Sequence, residues 1–212
     1  MSTANHIFPT PYGPAQWARW STLMLLALGV AGYALWLVLT SDRPDFAAGL
    51  FARHPVGALL HMVCSPVALV AGALQVNRAI RTRHLLLHRW LGRLYVLAVV
   101  LGGTSGLSMA FGAQGGPTSA WGFGLLAVLW LLTTGTGFVA MRRGDQTAHR
   151  DWMLRSYALT MAAITLRIYL PSSLIAGLSF EDAYRAIAWL CWVPNLLLAE
   201  WLIRRLHRNT TA

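Results

Sequence analysis

Charged residues are scarce in this sequence. Only 11% of its 212 residues are Asp, Glu, Lys or Arg, whereas 56% are hydrophobic. A soluble globular domain carries about a quarter of its residues as charges, so this composition excludes an ordinary soluble enzyme or binding domain. The shortage of charge therefore predicts a chain that lies mostly within a lipid bilayer.

Lysine is absent, and all 17 basic residues are arginines. The net charge of +10 would favour a nucleic-acid ligand in a soluble protein, but these arginines stand between apolar runs, where they act as topology signals. We therefore expect no nucleic-acid partner, and the positive-inside rule predicts that both termini are cytoplasmic. The two predicted cytoplasmic loops carry Arg78, Arg81, Arg83, Arg89 and Arg93, and then Arg142, Arg143, Arg150 and Arg155.

Cysteine is also rare. The two cysteines, Cys64 and Cys191, both fall inside apolar segments, which argues against a disulfide framework or a zinc knuckle. Both are therefore predicted to be small buried side chains.

Long apolar runs make up most of the chain. A transmembrane helix needs about 20 mostly apolar residues, and six segments qualify, at 22–40, 55–77, 90–111, 119–141, 153–177 and 183–203. The sequence therefore predicts an all-α, polytopic integral membrane protein whose spans 2 to 5 form a four-helix core. The predicted organisation is a polar N-terminal arm over 1–18, one six-helix domain over 19–204, and a basic cytoplasmic tail over 205–212.

Two histidines are predicted to lie at the same depth on different spans. His88 lies in the first turn of predicted span 3, and His149 lies in the first turn of predicted span 5. Each is followed by arginines, and Gln75 closes the neighbouring span 2. Side chains at equal depth on two helices can hold one ligand between them, so this group is the first candidate site: His88, His149, Arg89, Arg93, Arg150, Arg155 and Gln75.

The chemistry that best uses this pair is ligation of one b-type haem. Two neutral imidazoles can give one axial bond each, and arginines can neutralise the haem propionates. Gln75 is predicted to orient a histidine ring by a hydrogen bond. Such a protein would exchange electrons with a membrane quinone or a redox partner protein.

A metal site without haem is a second option for the same region. His84 and His88 are spaced to share one helical face, and His149 would complete three ligands of an open zinc or iron site. The HExxH glutamate is missing, because leucine stands at that position in His84-Leu-Leu-Leu-His88.

A second polar cluster is predicted nearer the outer side of the bilayer. His61 lies in span 2, and Arg167 and Tyr169 lie in span 5. Charge inside an apolar helix is costly, so Arg167 is expected to be buried and paired. The cluster predicts a non-enzymatic binding or transport module for a small anionic or lipid-like ligand, or a quinone site in which histidine shuttles protons. A structural or assembly subunit is the third reading that the sequence leaves open.

Two segments carry a family resemblance. LHRWLGRLY and HRDWMLRSYALT resemble the domain-of-unknown-function 2306 family of bacterial membrane proteins, and the resemblance covers residues 50–205. It implies a protein of the bacterial cytoplasmic membrane and is silent about activity. The matching positions are His88, Arg89, Gly92, Tyr95, His149, Arg150, Trp152, Met153 and Arg155.

A looser resemblance is to the cytochrome b561 type of transmembrane electron carrier. In that family four central helices each give one histidine and two haems are held. Here span 4, over 119–141, has no histidine. The resemblance therefore implies one haem at most, on His88 and His149, and His61 would need a partner such as Met109.

Overall fold

Helices are the regular secondary structure of the described part of the chain, and short turns connect them. The structure is a computed structural model that describes residues 13–208, and no strand occurs within that range. The predicted N-terminal arm over 1–12 and the predicted basic tail over 209–212 lie outside the described residues. The helices are α1 (Pro14–Leu39), α2 (Asp45–Arg53), α3 (Pro55–Gln75), α4 (Arg78–Arg83), α5 (Leu85–Ala110), α6 (Gly116–Arg142), α7 (Gln146–Thr160), α8 (Ala162–Ile175), α9 (Phe180–Leu190) and α10 (Val193–Arg208).

Within residues 13–208, single helices or two consecutive helices form six segments that are long and apolar enough to cross a membrane. Spans 1 to 4 are α1, α3, α5 and α6, whereas α7 with α8 and α9 with α10 form spans 5 and 6. Pro194 lies just inside α10 and lacks the N–H that would continue α9, which accounts for the break in span 6. The prediction of an all-α protein with six spans is confirmed.

The spans are longer than the apolar runs that predicted them. α1 begins at Pro14, inside the predicted polar arm, because a proline is favoured at the first helical position. α10 continues to Arg208, inside the predicted tail. Polar and aromatic residues at a membrane surface can extend a helix beyond its apolar part. Hydropathy alone does not predict such an extension.

Two short helices connect the spans. α2 lies between spans 1 and 2, and α4 lies between spans 2 and 3. Asn77 caps α4, since its Oδ1 accepts hydrogen bonds from the backbone N–H of Ala79 at 2.9 Å and of Ile80 at 3.4 Å.

The four central spans form a closed ring. α3 packs against α5, α5 against α6, α6 against α7, and α7 returns to α3. α1 lies outside this ring against α3 and α8, while α9 packs on α6 and α8 and α10 packs on α7. This arrangement agrees with the predicted four-helix core of spans 2 to 5.

Glycines allow the ring to close tightly. A Cβ atom on Gly72 of α3 would lie 2.2 Å from Cε2 of Tyr157 on α7. A Cβ on Gly137 of α6 would lie 2.8 Å from Sδ of Met153. Both helix pairs therefore approach at distances that only glycine permits.

One end of the bundle collects the arginines. We call it the arginine-rich end: it comprises α4, the turn after Arg142 and the end of α10, with Arg204, Arg205 and Arg208. The start of α1 lies there too, because the Trp20 indole N–H donates to the Ala73 carbonyl near the end of α3 at 2.9 Å. The other end, with α2 and the α6 N-terminus, is called the opposite end.

Candidate functional site

His88 and His149 enter the bundle at the arginine-rich end from α5 and α7. His149 Nδ1 lies 2.9 Å from the carbonyl oxygen of Gly137. Because a carbonyl only accepts, Nδ1 carries the proton and the neutral ring keeps Nε2 as its free lone pair. The structure therefore places His88 and His149 at the same end of the central ring, and their sharing of one site stays a prediction.

The His88 ring has a polar atom without a partner. Its Nδ1 is fully buried and has no hydrogen bond among the described residues. Buried polar atoms of this kind are rare in folded proteins. The Gln75 amide lies nearby but donates to the backbone carbonyl of His88, at 2.9 Å, and not to its ring. Gln75 thus holds α3 against the first turn of α5.

Two of the four arginines predicted beside this site are already paired with carboxylates. Arg155 makes a two-point ion pair with Glu200, and Arg150 contacts Asp151 with Nη2 to Oδ1 at 3.0 Å. Arg93 stacks on the ring of Trp90 at 4.6 Å. Arg89 is exposed at the same end.

Glu200 and the end of α10 were missed by sequence reasoning. Glu200 is the single acidic residue after Arg185, and it lies inside the last apolar run. An acidic residue at such a position could have indicated a buried ion pair. Beside it, His207 Nε2 lies 2.6 Å from Oδ2 of the buried Asp151. A cleft of about 440 Å³ opens here between α7 and α10, lined by Asp151, Arg155, Glu200, Ile203, Arg204, His207 and Arg208.

The three-histidine metal site is not assembled. His84 is exposed at the junction of α4 and α5, with φ −122° and ψ 59° outside the helical region. Residues 13–208 contain no group of three or more His, Cys, Asp or Glu side chains that could hold a metal ion. Residue spacing suggested a shared helical face, but the helix starts only at Leu85.

A buried hydrogen-bond network lies deeper in the ring below the two histidines. The Tyr95 hydroxyl of α5 is 2.7 Å from both Ser156 Oγ and Thr160 Oγ1 of α7. Thr134 Oγ1 of α6 is 2.6 Å from Ser156 Oγ, and the Trp130 indole N–H donates to Thr160 Oγ1 at 2.8 Å. These five side chains tie α5, α6 and α7 together in the core.

The spacing along each helix could have indicated this network. Tyr95 follows His88 by about two helical turns, and Ser156 follows His149 by the same interval, so each pair shares a face. If the histidines face one gap, then Tyr95 and Ser156 must face it too.

The residues of the second predicted cluster have separate partners. His61 Nδ1 lies 2.9 Å from the Gly102 carbonyl oxygen of α5, and Arg167 Nη1 donates to the Ala163 carbonyl at 2.9 Å. The Arg167 guanidinium lies 5.8 Å from the Tyr33 ring centroid of α1. Tyr169 is 39% exposed on α8. Arg167 is partly buried, as predicted, and no carboxylate of residues 13–208 forms an ion pair with it.

The helices that carry both clusters fall within one family match. The family described as "Predicted membrane protein (DUF2306)" matches residues 58–203 of the 212. The chain belongs to this family. The match runs from α3 to α10 and so includes all four spans of the central ring. The resemblance to this family noted from the sequence is thereby confirmed.

No curated protein and no solved structure is similar enough to this DUF2306 protein to count as a match. The resemblance to cytochrome b561 therefore stays a prediction, as does the choice of membrane. What the family and the fold establish together is a membrane protein with six spans.

Proposed function

We propose that this DUF2306 protein is a membrane electron carrier that holds one b-type haem between His88 and His149. The observation that carries the proposal is that His88 and His149 lie near the starts of α5 and α7, both at the arginine-rich end of the central ring, and that Nδ1 of His88 is buried without a hydrogen bond among the described residues. The proposal includes the orientation that the arginines favour, with this end at the cytoplasmic face of a bacterial cytoplasmic membrane.

The two rings have the hydrogen-bonding pattern of histidines that would hold a haem iron. A histidine that binds iron through one ring nitrogen usually donates from the other to a carbonyl or carboxylate. His149 has this arrangement, since Nδ1–H donates to the Gly137 carbonyl and Nε2 is left free. The buried, unpartnered Nδ1 of His88 is consistent with a side chain that meets a bound group.

The propionate partners differ from those predicted from the sequence. Arg150 and Arg155 are committed to Asp151 and Glu200. Arg89 and Arg93 form no ion pair with the carboxylates of residues 13–208. We therefore assign the propionates to Arg89 and Arg93, which lie on the same helix as His88.

When bound, haem would supply a single-electron couple at its iron. The chain's own part is to fix the two imidazoles and exclude water. Gln75 holds the backbone of His88, Gly137 holds the ring of His149, and the network around Tyr95 sets the separation of α5 and α7 below them. A rigid pair of imidazoles would hold such a group in one position.

Spectroscopy of purified protein tests the proposal. Protein expressed with haem supply, or reconstituted with hemin, should show a Soret band and the sharp α and β bands of six-coordinate, low-spin reduced haem. His88→Ala and His149→Ala should each lose this spectrum, whereas the exposed His84→Ala should keep it. Protein that stays colourless after hemin is added, or an unchanged spectrum in both variants, would exclude this site.

A further inference from the structure

The cleft between α7 and α10 at the arginine-rich end has charged walls. Its volume is about 440 Å³, and three arginines and two carboxylates line it, namely Arg155, Arg204, Arg208, Asp151 and Glu200. Arg204 and Arg208 are exposed, so a ligand from outside the bundle can reach them. The cleft is therefore an accessible space in which arginines outnumber acids.

Both carboxylates of the cleft already have cationic partners. Glu200 accepts hydrogen bonds from Arg155 at both of its oxygens. Asp151 accepts from Arg150 at 3.0 Å and lies 2.6 Å from Nε2 of His207. A cationic ligand would have to displace one of these partners, so the cleft is poorly suited to a cation.

Arg204 supplies a positive charge that the protein itself does not pair. No carboxylate of residues 13–208 forms an ion pair with Arg204, whereas Arg155 on the facing helix is bound to Glu200. A planar guanidinium can donate two parallel hydrogen bonds to a phosphate group. The charge of the cleft is thus complementary to an anion, and Arg204 is the group that would contact it.

Two tryptophans indicate that the cleft lies at the level of the lipid headgroups. Trp152 of α7 and Trp201 of α10 each lie one residue from a residue that lines the cleft. Trp201 is 54% exposed, and its ring centroid lies 5.4 Å from the Arg205 guanidinium. Exposed tryptophans next to arginines are typical of the membrane–water interface.

An apolar surface continues from the cleft into the membrane. Leu197 precedes Arg204 by two helical turns on the same side of α10, so it lies about 10 Å deeper. Leu197 and Leu198 are 65% and 56% exposed. An amphiphile can place its charged group beside Arg204 and its hydrocarbon on these leucines. A hydrated anion would use the arginine but not the leucines.

We infer that the cleft between α7 and α10 binds the headgroup of an anionic phospholipid, with the phosphate at Arg204 and an acyl chain along Leu197. A zwitterionic lipid matches less well, because its ammonium group would find both carboxylates already paired. The inference does not depend on haem binding, since neither His88 nor His149 lines the cleft.

Native mass spectrometry of the detergent-purified protein tests this inference by titration with phosphatidylglycerol and, separately, with phosphatidylcholine. The wild type should bind one phosphatidylglycerol about tenfold more tightly than phosphatidylcholine, and Arg204→Gln should lose that difference, because charge-assisted hydrogen bonds to the phosphate are removed. Arg205→Gln is the matched control. Arg205 is the next residue, is equally exposed and does not line the cleft, so this variant should bind like the wild type.

The same titrations can overturn the inference. Equal losses in Arg204→Gln and Arg205→Gln would mean that only the overall surface charge matters. Equal binding of the two lipids by the wild type would refute the preference for an anionic headgroup. Displacement of phosphatidylglycerol by millimolar glycerol 3-phosphate would indicate a site for a soluble phosphate ester and not for a lipid.

Photolabelling locates the lipid without any variant. Phosphatidylglycerol with a diazirine in one acyl chain, added at one lipid per protein in detergent, should label the part of α10 that contains Leu197 and Leu198. The same diazirine on phosphatidylcholine should not favour that part of α10. Preferential labelling of another span by the phosphatidylglycerol probe would refute the inference.

Discussion

Arg155 of α7 and Glu200 of α10 form a two-point ion pair, with Nε to Oε1 at 2.5 Å and Nη2 to Oε2 at 3.0 Å. The Arg155 guanidinium also lies 4.6 Å from the Trp152 ring centroid. The ion pair between Arg155 and Glu200 connects span 6 to the central ring near the arginine-rich end. It also removes Arg155 from the arginines that are free to bind an anionic ligand there.

Removal of Glu200 should destabilise the protein. Both side chains are half-buried, with 20% and 32% exposure, so Glu200→Ala leaves the half-buried Arg155 guanidinium without its carboxylate partner. We expect a loss of about 1 to 3 kcal/mol, measured as a lower Tm in detergent. Glu181→Ala, at an exposed ion pair on α9, should change stability by less than about 1 kcal/mol. Equal effects of the two changes would contradict a structural role for the Arg155 pair.

Replacement of Gly72 by alanine should separate α3 from α7. The new methyl group would lie 2.2 Å from the Tyr157 ring, so the ring must move within a packed interface. Overpacking of this kind costs about 1 to 3 kcal/mol, which unfolding in detergent would reveal. Gly135→Ala is the matched control, since a Cβ there meets nothing within 4 Å. If the interpretation is right, Tyr157→Leu should relieve the effect of Gly72→Ala.

The Tyr95 hydroxyl should contribute measurably to the stability of the central ring. Tyr95→Phe keeps the ring but removes its contacts with Ser156 and Thr160. The expected loss is about 0.5 to 2 kcal/mol, because interhelical hydrogen bonds in membranes are of modest strength. Thr136→Val serves as the control, since its exposed hydroxyl bonds only to the Leu132 carbonyl of its own helix. A Tm for Tyr95→Phe no lower than that of the control would refute the prediction.

Asp151 should hold the end of α10 in place. Its carboxylate contacts His207 at 2.6 Å and Arg150 at 3.0 Å. In Asp151→Ala we expect faster amide hydrogen exchange in the last turns of α10, while exchange in α5 and α6 is unchanged. Asp42→Ala, at an exposed position between α1 and α2, should leave the exchange of α10 as it is in the wild type. Unchanged exchange in α10 of Asp151→Ala would mean that the helix end is held by other contacts.

The fold was predictable because the signals for membrane spans are local. A run of about 20 apolar residues defines a span wherever it packs, and the six runs, the all-α class and the central position of spans 2 to 5 could all be predicted. Helix ends were less predictable. A proline at the first helical position allows α1 to begin at Pro14, and hydropathy does not measure this preference.

The depth of the histidines was predictable, but their side-chain partners were not. Depth along a helix follows from residue counting, and on that basis the sequence groups His88 with His149 and His61 with Arg167. The rotation of each helix about its own axis cannot be obtained by counting residues. The same is true of contacts between spans that are far apart in the sequence. That is why the acidic partner of Arg155, in span 6, was missed.

By itself, the sequence determined the number of spans, the side that collects the arginines and the depth of each polar residue, because these depend only on the order of residues along one chain. The tertiary structure alone decided which side chains meet. It paired Arg155 with Glu200, joined Tyr95 to Ser156 and Thr160, and turned Arg167 into the membrane without an acidic partner. Such contacts depend on how each helix is rotated against its neighbours, and that rotation is set by the packing of the whole bundle.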